Sequence, residues 1–504
     1  MSLKNAALIF GFLMLALTAC KDPWADYNEV KDPVLAGNLM QLIDKHPELT
    51  RFRELLIKTG MDKELSSSKT YTVWAPSNEK IDEMLKQAGA EASDSALVRF
   101  VGYHIARQTY FTRNTADSTM RILTMNGKAV EFTRTGVEDA SIVAPDQYTG
   151  NGVLHVINHP LIARKNNWEV FEGLEQDAPV SQKNFISSWK SEEFDPENSK
   201  QIGVNEQGKP IYDSAFVTRN GFLKNVADIS NEGRLYTFFV LADDAYTQER
   251  DKLKNFFADS TELAASFRTQ AYIVKDLVVK GRYDADHLPA FFYSPDSTRF
   301  SVSKSSIVRS IPTSNGIVHI ISSVSYQMSD KVKPVFVQGE SVNEISPSSL
   351  SLNRRTRKAP DGTIFRDIMN NTHTVNGVWL RYSGTVFSGR YRVYWRMVRD
   401  FSLVPASGAT DIVHFPQKVT WNERWKTPAG TVFDPLASNG FGYRNEPFIA
   451  NADGTFSPDY NEVLLGEMTV DRYGVIDLYL VANRTATAVQ NAILLDYLKL
   501  EPVY

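Results

Sequence analysis

At 504 residues the chain is too long for one ordinary core, so two to four domains are expected. Lys plus Arg number 55 against 59 Asp plus Glu, a formal net charge of −4, which leaves no electrostatic case for nucleic acid. The 42% hydrophobic and 23% charged content is that of a globular protein, and a single cysteine excludes a disulfide framework and thiolate metal sites.

Lys4 precedes an apolar run, Ala6 to Ala16, that is shorter than the roughly 20 residues a membrane span needs. A charged flank, a short apolar run and small residues before a cut read as a secretory signal. The run ends in Leu17-Thr18-Ala19-Cys20, which holds the chain's only cysteine. This tetrapeptide resembles the lipobox of bacterial lipoproteins. The resemblance implies removal of residues 1–19, acylation of Cys20 and attachment to a membrane through lipid. One acyl chain anchors only marginally, whereas several hold almost permanently. Residues 20–36 read as a tether broken by Pro23 and Pro33. Its Asp22, Asp26 and Glu29 loosely resemble the acidic signal that sends lipoproteins to the outer face of the outer membrane in bacteria with SusC/SusD-type uptake systems. A solvated linker is the other reading.

From Asn38 the pattern turns helical: Leu39, Leu42 and Ile43, then Phe52, Leu55 and Leu56 past Pro47, recur at three- and four-residue spacing. Tyr71-Thr72-Val73-Trp74 reads as a strand, closed by Ala75-Pro76-Ser77-Asn78. Ser77 or Asn78 is expected to cap the next helix, which carries Ile81, Met84 and Leu85 on one face. A third helix is expected over 96–106, and strands at 121–123 and 129–132. Asn151-Gly152 reads as a turn ahead of the β-forming Val153-Leu154-His155-Val156-Ile157.

Tyr71 to Asn78, then Tyr103-His104-Ile105, then Asn151 to Ile157 resemble, in order, the landmarks of fasciclin-like domains over residues 37–165. The pattern repeats. Leu235 to Val240 with Leu241-Ala242-Asp243-Asp244 answers the first strand and cap, and Asn315-Gly316-Ile317-Val318-His319-Ile320-Ile321 answers the closing strand. The offsets agree: Tyr71 to Tyr236 is 165 residues and Asn151 to Asn315 is 164. The second copy, 166–328, is diverged. Val274, Lys275 and Asp276 stand near the place of Tyr103-His104, and 195–212 reads as a surface loop or hairpin.

From Ser329 helical periodicity disappears. The polar stretch 341–361, with Arg354, Arg355, Arg357 and Lys358, reads as a solvated linker, with contact to acidic partners as the sharper alternative. Short strands with Gly, Pro and Asn turns follow, among them 377–382, 389–398, 411–415, 474–481 and 493–500. In 389–398, Tyr391, Val393, Trp395 and Met397 alternate with Arg392, Tyr394 and Arg396, the signature of a half-buried strand. Regular short strands indicate a β-sandwich, and 389–395 and 495–503 are similar to strands of galactose-binding-like jelly rolls. The expected fold class is α+β multidomain. Two tandem fasciclin-like domains of mixed α/β structure, 37–165 and 166–328, precede a linker and all-β jelly-roll sandwich, 329–504.

Little in the chain points to catalysis. His155 and His159 have the i, i+4 spacing of a helical zinc pair, but on a strand they stand more than about 13 Å apart. His319 takes the repeat position of His155, so both read as structural. Tyr103-His104 resembles an adhesion motif of animal fasciclin-like domains, and amid Phe100, Val101 and Ile105 reads as core. Asp243-Asp244 reads as a helix cap in preference to an acid/base pair. Asn451 to Thr455 reads as a turn in preference to a calcium loop. No nucleophile elbow or phosphate loop occurs. Neither a metal nor another cofactor is expected, and the chain is not expected to be an enzyme. Ligand contact is assigned to the sandwich, where Trp421, Trp425, Phe441, Tyr443 and Arg444 lie in polar, Gly/Pro-broken segments. The other reading has these residues plugging the sandwich ends.

The resemblances imply an outer-membrane, lipid-anchored binding protein facing the cell exterior, with no nucleic-acid partner. Its implied role is accessory to a SusC/SusD-like transporter that takes up glycans or peptides, with a polysaccharide or peptide ligand. The alternative is an adhesion or matrix-binding lipoprotein.

Overall fold

The computed structural model describes residues 34–504 apart from 88–92, 116–117, 175–178, 371–372, 374–376, 403–413, 439 and 484–491. Cys20 and the rest of the lipobox-like segment lie outside the described residues, as does most of the strand expected at 411–415. Among the described residues no helix is long and apolar enough to cross a membrane.

The first unit is organised on a parallel pair of strands, Tyr71–Pro76 and Gly152–Ile157, buried along their whole length. A strand covered on both faces carries a continuous apolar run in place of alternation. Ile105–Arg107 pairs on one side and Ala140–Thr149 on the other, and three short strands extend the sheet to seven. Leu39, Ile43, Phe52 and Leu56 pack helices on one face, while Phe132, Val130 and Leu161 cover Trp74 and Ile157 on the other. The helix expected over 96–106 is Asp94–Tyr103; the chain turns at His104 and Ile105 is already strand.

The second unit has the same four-strand order and register. Tyr236–Leu241 runs parallel to Gly316–Ile321, with Val278–Lys280 and Ile307–Thr313 outside them. His155 stands opposite Trp74 and His319 opposite Phe239. The polar fittings match too. Asn151 accepts from the Leu39 N–H and donates to the Leu65 and Ser67 carbonyls; Asn315 accepts from the Asn167 N–H and donates to those of Ile229 and Asn231. These asparagines pin three chain segments, a larger task than a turn. Glycine must follow each: at Gly316 (φ +141°) a Cβ would stand 1.8 Å from the Tyr236 carbonyl oxygen.

Two sequence expectations need correction here. Asn78 and Asp243 cap helices other than their own: Asn78 accepts from the Arg51 N–H of helix Thr50–Thr59, and Asp243 from the Ser181 N–H of helix Ser181–Ser188. The place of His104 in the second unit belongs to Leu277, since the Trp74 N–H bonds the His104 carbonyl and the Phe239 N–H bonds that of Leu277. The stretch 195–212 is a surface hairpin, one of the two forms expected of it, and lies within the longer exposed pair Lys190–Val204 and Pro210–Asn220.

The C-terminal part is sandwich-like. One four-stranded antiparallel sheet contains Val335–Gln338, Tyr497–Pro502, Gly389–Arg396 and Val463–Val470. The other contains Glu344–Ser346, Trp379–Val386, Gly474–Ala482 and Gln417–Glu423. Tyr391, Val393, Trp395 and Met397 enter the shared core, as the alternation predicts. The expected strand 493–500 breaks at Asp496, where the chain passes from a three-stranded sheet into the first four-stranded one.

The basic cluster is not a linker. Asn353–Lys358 is a strand whose Arg355 and Arg357 share one face. Arg355 grips Asp367 through two hydrogen bonds, 2.8 and 2.6 Å, and reaches Asp400 at 3.2 Å; Arg357 joins the same Asp367 at 3.1 Å. A fully buried carboxylate answered by two guanidiniums makes this region part of the fold.

Candidate functional site

The buried histidines of the two α/β units are structural. His104 donates from Nδ1 to the Phe100 carbonyl and accepts at Nε2 from the Leu161 N–H, both at 2.9 Å. Full burial lowers its pKa to about 4. His155 bonds the Tyr110 carbonyl and accepts from the Asp146 N–H; His319 bonds the Tyr283 carbonyl and Ser310. Burial lowers both of these as well. Among the described residues no cluster of three His, Cys, Asp or Glu could hold a metal. Asn451 to Thr455 is the turn between strands Phe448–Ala450 and Phe456–Pro458, with Asp453 accepting from Thr455.

The five residues assigned to ligand contact do not form one exposed surface. Phe441 is 8% exposed, belongs to the sandwich core and packs 5.2 Å from the half-buried Trp421. Trp425 covers Gly474 and buries its indole N–H. Arg444 pairs through its backbone with Gln417, and its guanidinium donates to the Leu464 and Leu465 carbonyls, which closes the sandwich edge. Tyr443 keeps an exposed ring, with the Lys418 ammonium 5.2 Å from its centre. The polar neighbours that suggested exposure are themselves paired: Arg424 binds Asp477, and Lys426 binds Glu423.

A different surface has the character of a binding site. Between the second unit and the sandwich lies a cleft of about 750 Å³. Trp189, Phe257, Phe267, Tyr272 and Tyr473 supply its aromatic walls. Helix Glu262–Val274 forms one side, started by Thr261, whose hydroxyl accepts from the Ala264 N–H. Its Thr269 and Ile273 face the core, while Leu263 and Phe267, one turn apart, face outward and are 82% and 41% exposed. Trp189 meets Phe267 edge-on at 5.6 Å and closes over Gly221, where a Cβ would stand 2.2 Å from the indole nitrogen.

The opposite wall is held by contacts between the units. Ser388 donates to the Asn255 carbonyl and accepts from the Ala258 N–H, the Tyr473 N–H bonds the Ala258 carbonyl, and Phe387 meets Phe257 edge-on. Two cations sit at the rim. Arg268 pairs with Asp259 at 2.6 Å and lies 5.1 Å from the Tyr473 ring centre; that hydrogen bond holds the Asp259 carboxyl below its usual range. Lys275 pairs with Asp296 at 2.6 Å and sits 3.5 Å from the Tyr272 ring centre. Burial pushes the Tyr272 phenol up, so it stays protonated. The cleft therefore offers flat apolar faces and rim hydrogen-bonding groups.

Sequence reasoning passed over these residues because the cleft is lined from five separate segments. The available signal was helix Glu262–Val274 itself: Leu263, Phe267, Ala271, Tyr272 and Ile273 put apolar side chains all round it. A helix of that kind has a second partner beyond its own core.

Comparison with known proteins bears on the first unit most directly. Residues 47–163 match the Fasciclin domain family. No curated protein matches the chain. Among solved structures, a FAS1 domain pair from the insect cell adhesion molecule fasciclin I is 14% identical, with 57% of this chain and 100% of that chain covered and a TM-score of 0.23. The insecticidal crystal protein Cry2Aa is 13% identical, with 40% and 25% covered and a TM-score of 0.19.

Proposed function

We propose that this chain is a surface-anchored binding protein that holds an extended polymer, glycan or peptide, in the aromatic cleft beside its C-terminal sandwich. The observation that carries this reading is the exposed Leu263–Phe267 pair within a concave aromatic wall. Contiguous exposed apolar surface of this kind marks contact sites. Aromatic rings take the C–H faces of sugars or the side chains of peptides at low conformational cost. The cleft's size is that of ordinary ligand sites.

Support for the setting comes from the sequence alone. Leu17 to Cys20 supports a lipid anchor, and the acidic tether supports an outward-facing place on the outer membrane. The resemblance to accessory lipoproteins supports partnership with a SusC/SusD-like transporter in nutrient uptake. In this reading the chain consists of two tandem fasciclin-like domains and a jelly-roll sandwich, and it binds without catalysing.

An array of polysaccharides and peptides tests the binding. The full chain should retain a subset of them, and Phe267→Ala should lose that subset. A parent chain that retains nothing, or a variant that retains the same set, contradicts the proposal. Adhesion is the second reading, favoured by the Fasciclin match of residues 47–163, a family associated with adhesion or binding. Deletion that abolishes attachment while growth on polymers is unchanged would select it.

A further inference from the structure

A second pocket, of about 480 Å³, opens on the flank of the sandwich where the chain switches sheets at Asp496. Phe336 and Tyr497 form one wall, edge to face at 5.4 Å, with the Phe336 ring half exposed. Ile364 is exposed at the mouth and Phe365 lines the floor. Arg396 crosses that floor, 4.8 Å from the Phe365 ring centre. It donates to the Tyr460 carbonyl at 2.8 Å and to Asp496 at 2.5 Å. Gln338 and Arg366 stand exposed at the rim, and Arg366 makes no ion pair among the described residues.

The fold leaves one group here unsatisfied. Oε2 of Glu340, which lines the pocket, is buried and accepts no hydrogen bond. Its neighbour Asp496 is 2% exposed, and burial first, with the Asp367 and then the Glu340 charge adding to it, raises its pKa to about 6 against the pull of Arg396. A buried carboxylate oxygen without a donor is strongly unfavourable, and a ligand that brings a donor relieves it.

The remaining groups select among donors. Glu340 and Asp496 are balanced by Arg366 and Arg396, so the pocket is formally neutral and gives a cation no net attraction. An ammonium has donors only and would leave the Arg366 and Gln338 N–H groups unused. Hydroxyls both donate and accept, and a sugar ring adds an apolar C–H face that fits the Phe336–Tyr497 wall. We propose that this pocket binds a neutral saccharide unit, with Glu340 accepting from its hydroxyls, Arg366 and Gln338 contacting the same ring, and Phe336 and Tyr497 stacking against it. The site is separate from the aromatic cleft and stands whether or not the cleft binds a polymer.

Calorimetry of the full chain tests this, with glucose, galactose, mannose, N-acetylglucosamine and their β-linked disaccharides as probes and butylammonium as the cationic control. At least one saccharide should bind. Glu340→Gln, which keeps the side-chain shape, and Phe336→Ala, at a half-exposed position, should each weaken it roughly tenfold or more with an unchanged melting profile. Saccharide binding that persists in Phe267→Ala belongs to this pocket, and binding that Phe267→Ala alone removes would overturn the assignment. Failure of every saccharide at millimolar concentration, preference for butylammonium, or full binding by both pocket variants would overturn the proposal.

Discussion

Acidification from about pH 7.5 to about pH 5 should loosen the first unit, and His104 sets the size of the effect. Its Nε2 accepts the Leu161 N–H, so a proton there would set two N–H groups against each other inside a dry core. The folded pKa is accordingly depressed, from 6.5 to about 4. The sign follows from which state binds protons first. Below about pH 6.5 the unfolded chain protonates while the folded chain does not, so stability is complete above that pH and is lost on the way down to about 4. A shift of about 2.5 units corresponds to about 3 kcal/mol when fully expressed, and about 2 kcal/mol is already lost at pH 5. His155, also depressed by burial, acts in the same direction. Hydrogen exchange of the amides in Tyr71–Pro76 and Gly152–Ile157, corrected for intrinsic rates, reads the opening free energy. His104→Leu installs the side chain that Leu277 supplies in the second unit. It should lower stability at neutral pH by about 1–3 kcal/mol, because the Leu161 N–H loses its acceptor, and should flatten most of the acid dependence. A variant as acid-sensitive as the parent, or a parent with no acid dependence, would refute the reasoning.

Other substitutions probe the remaining parts. Asp367→Ala leaves Arg355 and Arg357 facing a buried gap and should cost about 3–5 kcal/mol, seen as a lowered thermal transition of the sandwich. Gly316→Ala forces a side chain into the Tyr236 carbonyl at positive φ and should destabilise the second unit by about 2 kcal/mol or more in urea unfolding. Cys20→Ala should move the protein from the membrane pellet to the soluble fraction; a variant that stays in the pellet argues against lipid anchoring.

The framework of both α/β units was readable because central parallel strands leave a continuous apolar trace. Tyr71 to Pro76 and Tyr236 to Leu241 carry that trace at a fixed offset, and so do the two Asn-Gly strands. Partners distant in sequence were not readable. Asn78 and Asp243 look like local caps, but each bonds a helix dozens of residues upstream. Arg355 and Arg357 look solvated until the hairpin brings Asp367 opposite them. The exposure of the aromatic candidates was misjudged in the reverse direction. Ion pairs such as Arg424–Asp477 let charged residues flank buried and half-buried rings, so local polarity was no guide to the exposure of Phe441, Trp421 and Trp425. The cleft joins segments from 189 to 473, and only the all-round apolar character of Glu262–Val274 signalled it.

The most direct test of the proposed function is where a bound polymer protects the chain. Hydrogen exchange of the full-length protein, with and without a polymer retained on the array, should show new protection in helix Glu262–Val274 and around Tyr473, the two walls of the cleft. Protection confined to other surfaces, the exposed Tyr443 edge among them, or none at all with polymer bound, would contradict the assignment of binding to this cleft.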